Sequence, residues 1–487
     1  MVDQSLMTLK VRSYLGALSR NACDMLIRNL EASRERGDLD PQFELILEAA
    51  RPLLRKRASD TQPRAHRRNL LKRAIFLPLE PFLITEQLPR KLPGRILRST
   101  LDALWIWLER DVMPGSIGEA QELLVKEDYD AEVVARTAER LRGLVIAAIS
   151  DVLDEARGPG VARQRVAYRL GGEVVLDELS DVYGILKADP VLEGFSALLP
   201  AVLTRRTFST GDAAKTREQV VEAIRNVVDA HPEYVGWISA LLLWRCDDPV
   251  LLVRMAAGAV GIAKPQAIHS SPYVGMIETV LSELRRYVLM AQGAAIETDL
   301  ADLTHGVEWQ SEAVVVAISR YHDQLRELRA GIDLREVSQW RNEMVEINRD
   351  MAEIIAHEIS TAHRQVHQAL QVPEPDETGQ VRLDPMAAAI AYRTLRILYI
   401  ACKNPDLLGV SDAVVRSRRA IEQVLDMASK SLVDELHNAV GPRREALKDS
   451  LERAVSYASI VFGNDYVDTL KKRCASITDI EKRPLAS

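Results

Sequence analysis

Apolar residues recur at intervals of three and four positions along almost the whole chain. Leu101, Leu104, Trp105 and Leu108 show this spacing, which places them on one face of an amphipathic helix. Sustained alternation of apolar and polar residues, which would indicate a half-buried strand, is hard to find. Aromatic residues make up only 5% of the chain, which fits helices better than β-sandwiches. The pattern predicts an all-α protein, a multi-helix assembly with a C-terminal helical bundle.

Proline and glycine mark where several helices should begin and end. Asp384 followed by Pro385 is typical of an N-cap with proline at the first helical position. The pair His231-Pro232 should stop the helix before it, and Gly441-Pro442 should separate the last two long helices. These signals predict helix boundaries that can be compared with the structure.

The length of 487 residues exceeds what one hydrophobic core usually supports, so we expect several domains. Two stretches rich in proline and glycine, residues 156–165 and 371–385, interrupt the helical pattern. We predict an N-terminal helical domain over 1–157 and a central helical domain over 158–372. The central domain should end in one long helix over 333–372, capped by Asp333. A linker over 373–383 then leads to the C-terminal bundle, 384–487.

One segment resembles a known repeat. DPVLLVRMAAGAVG, from Asp248 to Gly261, is similar to the second helix of a HEAT repeat, in which an Asp-Pro turn precedes Val-Arg and an alanine-rich face. The resemblance implies an irregular HEAT-like α-solenoid as an alternative architecture. No second copy occurs about 40 residues away, as a solenoid would require. We therefore favour a single buried helix with small residues.

Charge is distributed unevenly. Between Arg51 and Arg98 the chain has thirteen basic and three acidic residues, a net charge of +10. The whole chain carries −7, which leaves −17 for the remainder. The most concentrated basic stretch precedes Pro78 and alternates with apolar residues, as in a short basic amphipathic helix. The strongest candidates for contact with a partner are five basic residues there: Arg64, Arg67, Arg68, Lys72 and Arg73.

Three interpretations of this basic segment remain open. It folds back on the protein's own acidic surface, it binds an acidic partner protein or an anionic membrane surface, or it binds nucleic acid. The small number of aromatic residues for base stacking and the acidic remainder both disfavour nucleic acid. We expect an acidic protein partner or an anionic membrane surface.

The stretch AHEISTAHRQVHQAL holds three histidines. At 100° per residue, its apolar positions fall within about 60° of one another and His357 falls on the opposite face; these positions are Ile355, Ile359, Ala362 and Val366. His363 and His367 are four residues apart, so both could bind one zinc ion. His357 points elsewhere, and the spacing departs from the metalloprotease motif. We predict a polar helix face with no functional metal and no cofactor, and keep His363 and His367 as weak metal candidates.

Other catalytic patterns are weaker. GDAAKT, residues 211–216, lacks the glycine before lysine that a phosphate-binding loop needs. In DELSDVY, Asp177, Glu178 and Asp181 are interpreted as an acidic helix surface. We therefore name no catalytic residue.

The remaining features concern compartment. The four cysteines, Cys23, Cys246, Cys402 and Cys474, show no metal-binding or disulfide spacing, which fits a reducing compartment. The N-terminus lacks the features of a secretory signal, and the longest apolar run is too short to span a membrane. We predict a non-enzymatic cytoplasmic interaction or scaffolding protein. The alternative is a metal-dependent helical enzyme with a site near His363 and His367.

Overall fold

The structure, a computed structural model, describes residues 70–88, 90–126, 130–158, 160–204, 213–246, 248–300, 307–375, 380–468 and 471–472. These residues are predominantly helical, which confirms the predicted all-α multi-helix assembly. The described part contains one short parallel pair of strands, β1 (Leu83–Ile84) and β2 (Ile96–Leu97). Within that part, no helix is long and apolar enough to cross a membrane.

Packing divides the chain into two compact units. The first contains residues up to Glu80 together with Ser99–Leu186, and the second contains Pro81–Arg98 and Lys187–Ser487. The predicted boundaries at 157/158 and 373–383 both fall inside a unit, whereas the observed boundary falls inside a helix. Whether the predicted parts fold separately stays a prediction.

The first unit begins, within the described residues, with a helical turn over 70–75. The helices that follow are α1 (Arg98–Trp107), α2 (Pro114–Lys126), α3 (Ala131–Ala156), α4 (Gly160–Leu170) and the start of α5 (Glu173–Leu198). A 3-10 helix (Leu77–Phe82) precedes α1, and a π-helix (Leu108–Val112) follows it. In the basic segment, Leu71, Ile75 and Phe76 are buried, as the amphipathic pattern predicted.

Two arrangements in the first unit could not be predicted from spacing. Arg142 of α3 donates from Nε to Ile75 O at 3.1 Å and from Nη2 to Ala74 O at 3.1 Å, and so satisfies carbonyls at the end of the 70–75 turn. The interpretation of DELSDVY as an acidic surface was wrong for Glu178, which is buried and accepts a hydrogen bond from Thr100 at 2.6 Å. Asp181 is buried as well.

The second unit contains the remaining helices. They are α6 (Ala213–Ala230), α7 (Val235–Arg245), α8 (Leu251–Val260), α9 (Pro265–His269), α10 (Val274–Leu300), α11 (Val307–Ala330), α12 (Ser338–Ser360), α13 (Ala362–Leu370), α14 (Pro385–Lys403), α15 (Pro405–Leu408), α16 (Ser411–Asn438) and α17 (Pro442–Val461). Short 3-10 helices lie at Pro232–Tyr234 and Leu334–Glu336. The boundaries predicted at Pro232, Pro385 and Pro442 are confirmed.

The helix predicted over 333–372 is in fact two helices and a short turn. Asp333 caps only the 3-10 turn, by accepting a hydrogen bond from Arg335 N at 3.1 Å. A break at Thr361 separates α12 from α13, and the hydroxyls there donate to carbonyls three residues earlier, from Ser360 to His357 O and from Thr361 to Glu358 O. Such side chains compete with the backbone for these carbonyls, which favours a break.

The predicted apolar stripe continues across that break. Ile355, Ile359, Ala362 and Val366 are all fully buried, and His357 is exposed on the opposite face. The hydrophobic pattern of this segment is therefore confirmed although its continuity is not.

Helix α14 is the centre of the C-terminal part of the second unit. Asp384 caps it by accepting hydrogen bonds from Met386 N at 2.8 Å and Ala387 N at 3.2 Å. The helix packs against α11, α12, α13, α16 and α17. Because α12 and α13 precede the 371–385 connector and α16 and α17 follow it, α14 joins the two sides through packing.

This packing predicts the outcome of limited proteolysis. The described connector residues, 371–375 and 380–384, are irregular and mostly exposed, so a protease should cut there early. We expect the two fragments to remain together in gel filtration, because α13 packs against α14, α16 and α17. They should separate only when the cut sample is denatured. Separation under native conditions would show that the C-terminal helices form an independent bundle.

Candidate functional site

A buried ion pair joins α14 to α12. Arg393 Nη2 donates to Glu358 Oε2 at 2.9 Å, and the two residues are only 5% and 6% exposed. Buried charges require a partner, because removing either ion from water costs several kcal/mol. This pair therefore fixes how α12 and α14 meet.

The Arg393 guanidinium is only partly satisfied. Its Nε and Nη1 are buried, and neither has a hydrogen-bond partner within the described part of the chain. Most buried polar groups in proteins have partners, and an unmade hydrogen bond costs about 1–3 kcal/mol. Such an arginine can take an acceptor supplied from outside the chain.

Arg393 lines a cavity of about 560 Å³, which we call the arginine cavity. Its lining comes from α11, α14 and α17 and consists of Glu312, Val315, Ala388, Ala389, Tyr392, Arg393, Arg396, Arg453 and Tyr457. Because Arg393 is almost fully buried and still lines the cavity, it lies at the floor.

The side chains of α17 complete this cavity. Arg453 Nη1 lies 3.4 Å from Asp384 O and 3.5 Å from Ala369 O, which are long contacts for hydrogen bonds. Tyr457 is buried and donates to Ala388 O at 3.3 Å. Burial raises the pKa of Tyr457, and Arg453 opposes this shift. Tyr457 is therefore a neutral phenol whose hydroxyl is directed at the Ala388 carbonyl.

A second depression of about 440 Å³ lies between α11 and α14 and shares Val315 and Arg396 with the arginine cavity. Its lining residues are Val315, Val316, Ser319, Arg320, Asp323, Arg396, Tyr399, Ile400 and Lys403. We call this depression, together with the adjacent ring of Tyr392, the basic-aromatic groove.

One face of α14 alternates aromatic and basic side chains. Tyr392, Arg396, Tyr399 and Lys403 lie within about 60° of one another at 100° per residue. Tyr392 and Tyr399 are each 47% exposed. Arg396 lies 5.8 Å from the Tyr392 ring centroid, and Lys403 Nζ lies 4.7 Å from that of Tyr399. These distances allow cation–π attraction, which holds each cation over a ring and exposes both to a ligand.

The charge of the groove and cavity is opposite in sign to that of the whole chain. Their lining residues include five basic side chains, Arg320, Arg393, Arg396, Lys403 and Arg453, and two acidic ones, Glu312 and Asp323. Arg396 forms an ion pair with Glu312. The whole chain carries a net charge of −7. The groove and cavity, by contrast, are net positive, so they can attract an anionic ligand.

A buried histidine lies beside the groove. The ring of His322 on α11 is 2% exposed, with Nδ1 3.3 Å from Asp323 Oδ1 and Nε2 3.0 Å from Asn404 Nδ2. Burial lowers its pKa, with a smaller contribution from Arg326 and Lys403, whereas Asp323 opposes the shift. The neutral ring with its proton on Nδ1 satisfies both contacts, as donor to Asp323 and acceptor from Asn404.

The structure describes only part of the predicted basic contact site. Arg64, Arg67 and Arg68 lie outside the described residues. Lys72 forms an ion pair with Asp102, and Arg73 is exposed. The pair between Lys72 and Asp102 agrees with the interpretation that the basic segment contacts the protein's own acidic residues. Partner binding through this segment stays a prediction.

The three histidines lie on different parts of the α12–α13 surface. His357 and His367 are exposed and His363 is half-buried. His367 Nδ1 lies 3.3 Å from Gln371 Nε2. His367 also lines a cavity of about 670 Å³, together with Glu435 and Arg443. Across the described ranges, no group of three or more His, Cys, Asp or Glu side chains could hold a metal ion.

Sequence reasoning missed the pair at the centre of the site. At 100° per residue Glu358 lies on the same side of α12 as Met351 and Ile355, both buried, so a charge on an apolar stripe was the available signal. Arg393 lies in the same way between Ile397 and Ile400 on the helix face, and both of these are buried. Neither residue revealed its partner, which lies 35 positions away in the chain.

Comparison of the chain with protein-family models, curated proteins and solved structures finds no match. Function is therefore inferred from the geometry of this chain alone.

The buried histidine predicts how stability depends on pH. Because the pKa of His322 is lower in the folded protein than its ordinary value of 6.5, the unfolded chain binds the proton more readily. The contribution of His322 is complete above about pH 6.5 and decreases as the pH falls toward the lowered pKa, by at most about 1.4 kcal/mol per pH unit. His322→Gln should flatten the decline in unfolding free energy between about pH 7 and pH 5, measured by urea denaturation.

The matched control is His357→Gln, which replaces an exposed histidine. It should keep the wild-type pH profile. An equally steep decline in the His322→Gln protein would exclude His322 as the source.

Proposed function

We propose that this chain is a non-enzymatic interaction protein that binds an acidic segment of a partner protein in the basic-aromatic groove. The observation that carries the proposal is the alternation of aromatic and basic side chains on one face of α14, where Tyr392, Tyr399 and Lys403 are exposed and Arg396 is half-buried and paired with Glu312. Aromatic and arginine side chains are enriched in protein interfaces, where they supply contact area and charged donors.

The length of the groove suits a short peptide segment. From Tyr392 to Lys403 the helix rises about 17 Å, which about five residues of extended chain can span. Carboxylates of such a segment could reach Arg320 and Lys403, while its apolar side chains contact Val316 and the Tyr399 ring. This arrangement defines a partner with acidic and apolar side chains in alternation.

An acidic polypeptide suits the groove better than nucleic acid does. Asp323 lies in the groove and Glu312 pairs with the groove residue Arg396, and both carboxylates would repel a continuous phosphate backbone. A peptide can place an uncharged side chain opposite each of them. Binding rather than catalysis is proposed because the groove residues mainly supply hydrogen-bond donors, charges and ring faces.

The proposal places the protein in the cytoplasm. Cys402 is a free thiol, as a reducing compartment would keep it. Burial also raises the pKa of Cys402, which keeps the thiol protonated and less reactive. Contact of Arg64, Arg67, Arg68, Lys72 and Arg73 with an acidic protein or an anionic membrane surface belongs to the same proposal as a second region of contact.

A peptide-binding measurement tests the groove. The probe is a labelled, C-terminally amidated peptide of about eight alternating glutamate and leucine residues, and its glutamine counterpart is the uncharged control. Replacing Arg320 and Lys403 together by Gln should weaken binding about fivefold to thirtyfold, since each exposed ion pair contributes up to about 1 kcal/mol. Binding should also weaken as salt shortens the Debye length from about 10 Å to about 3 Å. Fluorescence anisotropy measures both effects.

The matched control removes two exposed arginines elsewhere, by Arg136→Gln and Arg140→Gln on α3. This variant should bind the peptide like the wild type. Equal loss in the two variants would show that the response reflects net charge alone. Tighter binding of a single-stranded oligonucleotide than of the peptide would also contradict the proposal.

A further inference from the structure

We propose that the arginine cavity is a binding site for a small organic monocarboxylate whose apolar body lies between α11, α14 and α17. This inference goes beyond the proposed function, because its anchors are Arg393 and Arg453, which the groove does not use. The carboxylate site and the peptide-binding groove are therefore independent of each other.

The guanidinium of Arg393, at the floor of the cavity, has unmet hydrogen-bonding capacity. Arg393 Nη2 is taken by Glu358, while Nε and Nη1 are buried without a partner within the described ranges. A guanidinium donates through five N–H groups and cannot lose its charge, so the capacity is permanent. Both atoms are covered by neighbouring protein atoms, so a carboxylate oxygen reaches them only after the covering side chains shift, and it would then recover part of the free energy that these groups lose on burial.

The cavity has a net positive charge. Three arginines line the cavity, and two carboxylates oppose them: Glu358 pairs with Arg393, and Glu312 pairs with Arg396. The remaining charge of about +1 is that of Arg453, whose described contacts are long and go to neutral carbonyl oxygens. One carboxylate balances this charge, and a dianion would leave an excess negative charge beside Glu312.

The volume and lining of the cavity suit a small organic molecule. The volume of about 560 Å³ is far more than a bare carboxylate needs and lies within the range typical of small-molecule sites. The lining includes Val315, Ala388 and Ala389 together with Tyr392 and Tyr457. These surfaces are apolar and partly aromatic, so the ligand should carry a hydrocarbon or aromatic body behind its single carboxylate.

Isothermal titration calorimetry on the full chain tests the inference with defined probes. Phenylacetate and hexanoate supply an aromatic and an aliphatic monocarboxylate, benzyl alcohol lacks the charge, and phenyl phosphate carries a larger charge. We expect both carboxylates to bind, benzyl alcohol to bind at least about tenfold more weakly than phenylacetate, and phenyl phosphate not to exceed phenylacetate. Tighter binding of phenyl phosphate, or equal binding of the alcohol, would overturn the carboxylate assignment.

Two variants locate the bound molecule, and a third is the control. Arg453→Gln should weaken phenylacetate binding at least about tenfold, and Ala389→Leu should weaken it by narrowing the cavity without removing a charge. Lys403→Gln, which changes only the groove, should leave it unchanged. Wild-type affinity in both cavity variants would overturn the inference.

The peptide and carboxylate results are separable. Loss of peptide binding on Arg320→Gln and Lys403→Gln with no carboxylate binding to the wild type would support the groove and refute the cavity site. Carboxylate binding that depends on Arg453, in a protein that ignores the acidic peptide, would support the cavity and refute the proposed function.

Discussion

The buried pair between Arg393 and Glu358 is the interaction on which the C-terminal part of the second unit depends. It joins the helices on the two sides of the 371–385 connector, since Glu358 belongs to α12 and Arg393 to α14. Burying two charges is favourable only when they meet with good geometry, so the pair disfavours other registers between these helices. The apolar stripe from Ile355 to Val366 supplies the stabilising burial around it.

The same pair also determines the chemistry of the neighbouring surface. Glu358 occupies only one Arg393 nitrogen, and the other two have no acceptor among the residues that the structure describes. The adjacent face of α14 carries Tyr392, Arg396, Tyr399 and Lys403, which belong to the groove. One helix therefore serves as packing centre, floor of the arginine cavity and wall of the groove. A substitution that tilts α14 would disturb all three.

Much of the fold could be predicted because it depends on local patterns. The stripe of Ile355, Ile359 and Val366, the cap at Asp384 and the stop at Pro232 follow from spacing, capping and proline geometry within one helix. The candidate site could not be predicted in the same way, because Glu358 and Arg393 belong to different helices. In the sequence, basic residues are concentrated before Pro78, which predicts a contact site in the N-terminal segment. The arginines of the cavity are dispersed through an acidic chain, so no local concentration of charge marks them. Hydroxyl competition at Thr361, which splits the predicted helix, is a local effect and is visible in the sequence.

A double-substitution experiment tests the role of this pair most directly. Arg393→Met alone leaves the buried carboxylate of Glu358 without this arginine and should lower the free energy of unfolding by about 3–5 kcal/mol in urea denaturation. Replacing both residues, by Arg393→Met and Glu358→Leu, should recover most of that loss, because similar-sized apolar groups fill the space without uncompensated charge. The doubly substituted protein should fold and fail to bind phenylacetate. A single variant as stable as the wild type, or a double variant as unstable as the sum of the two single changes, would contradict this account.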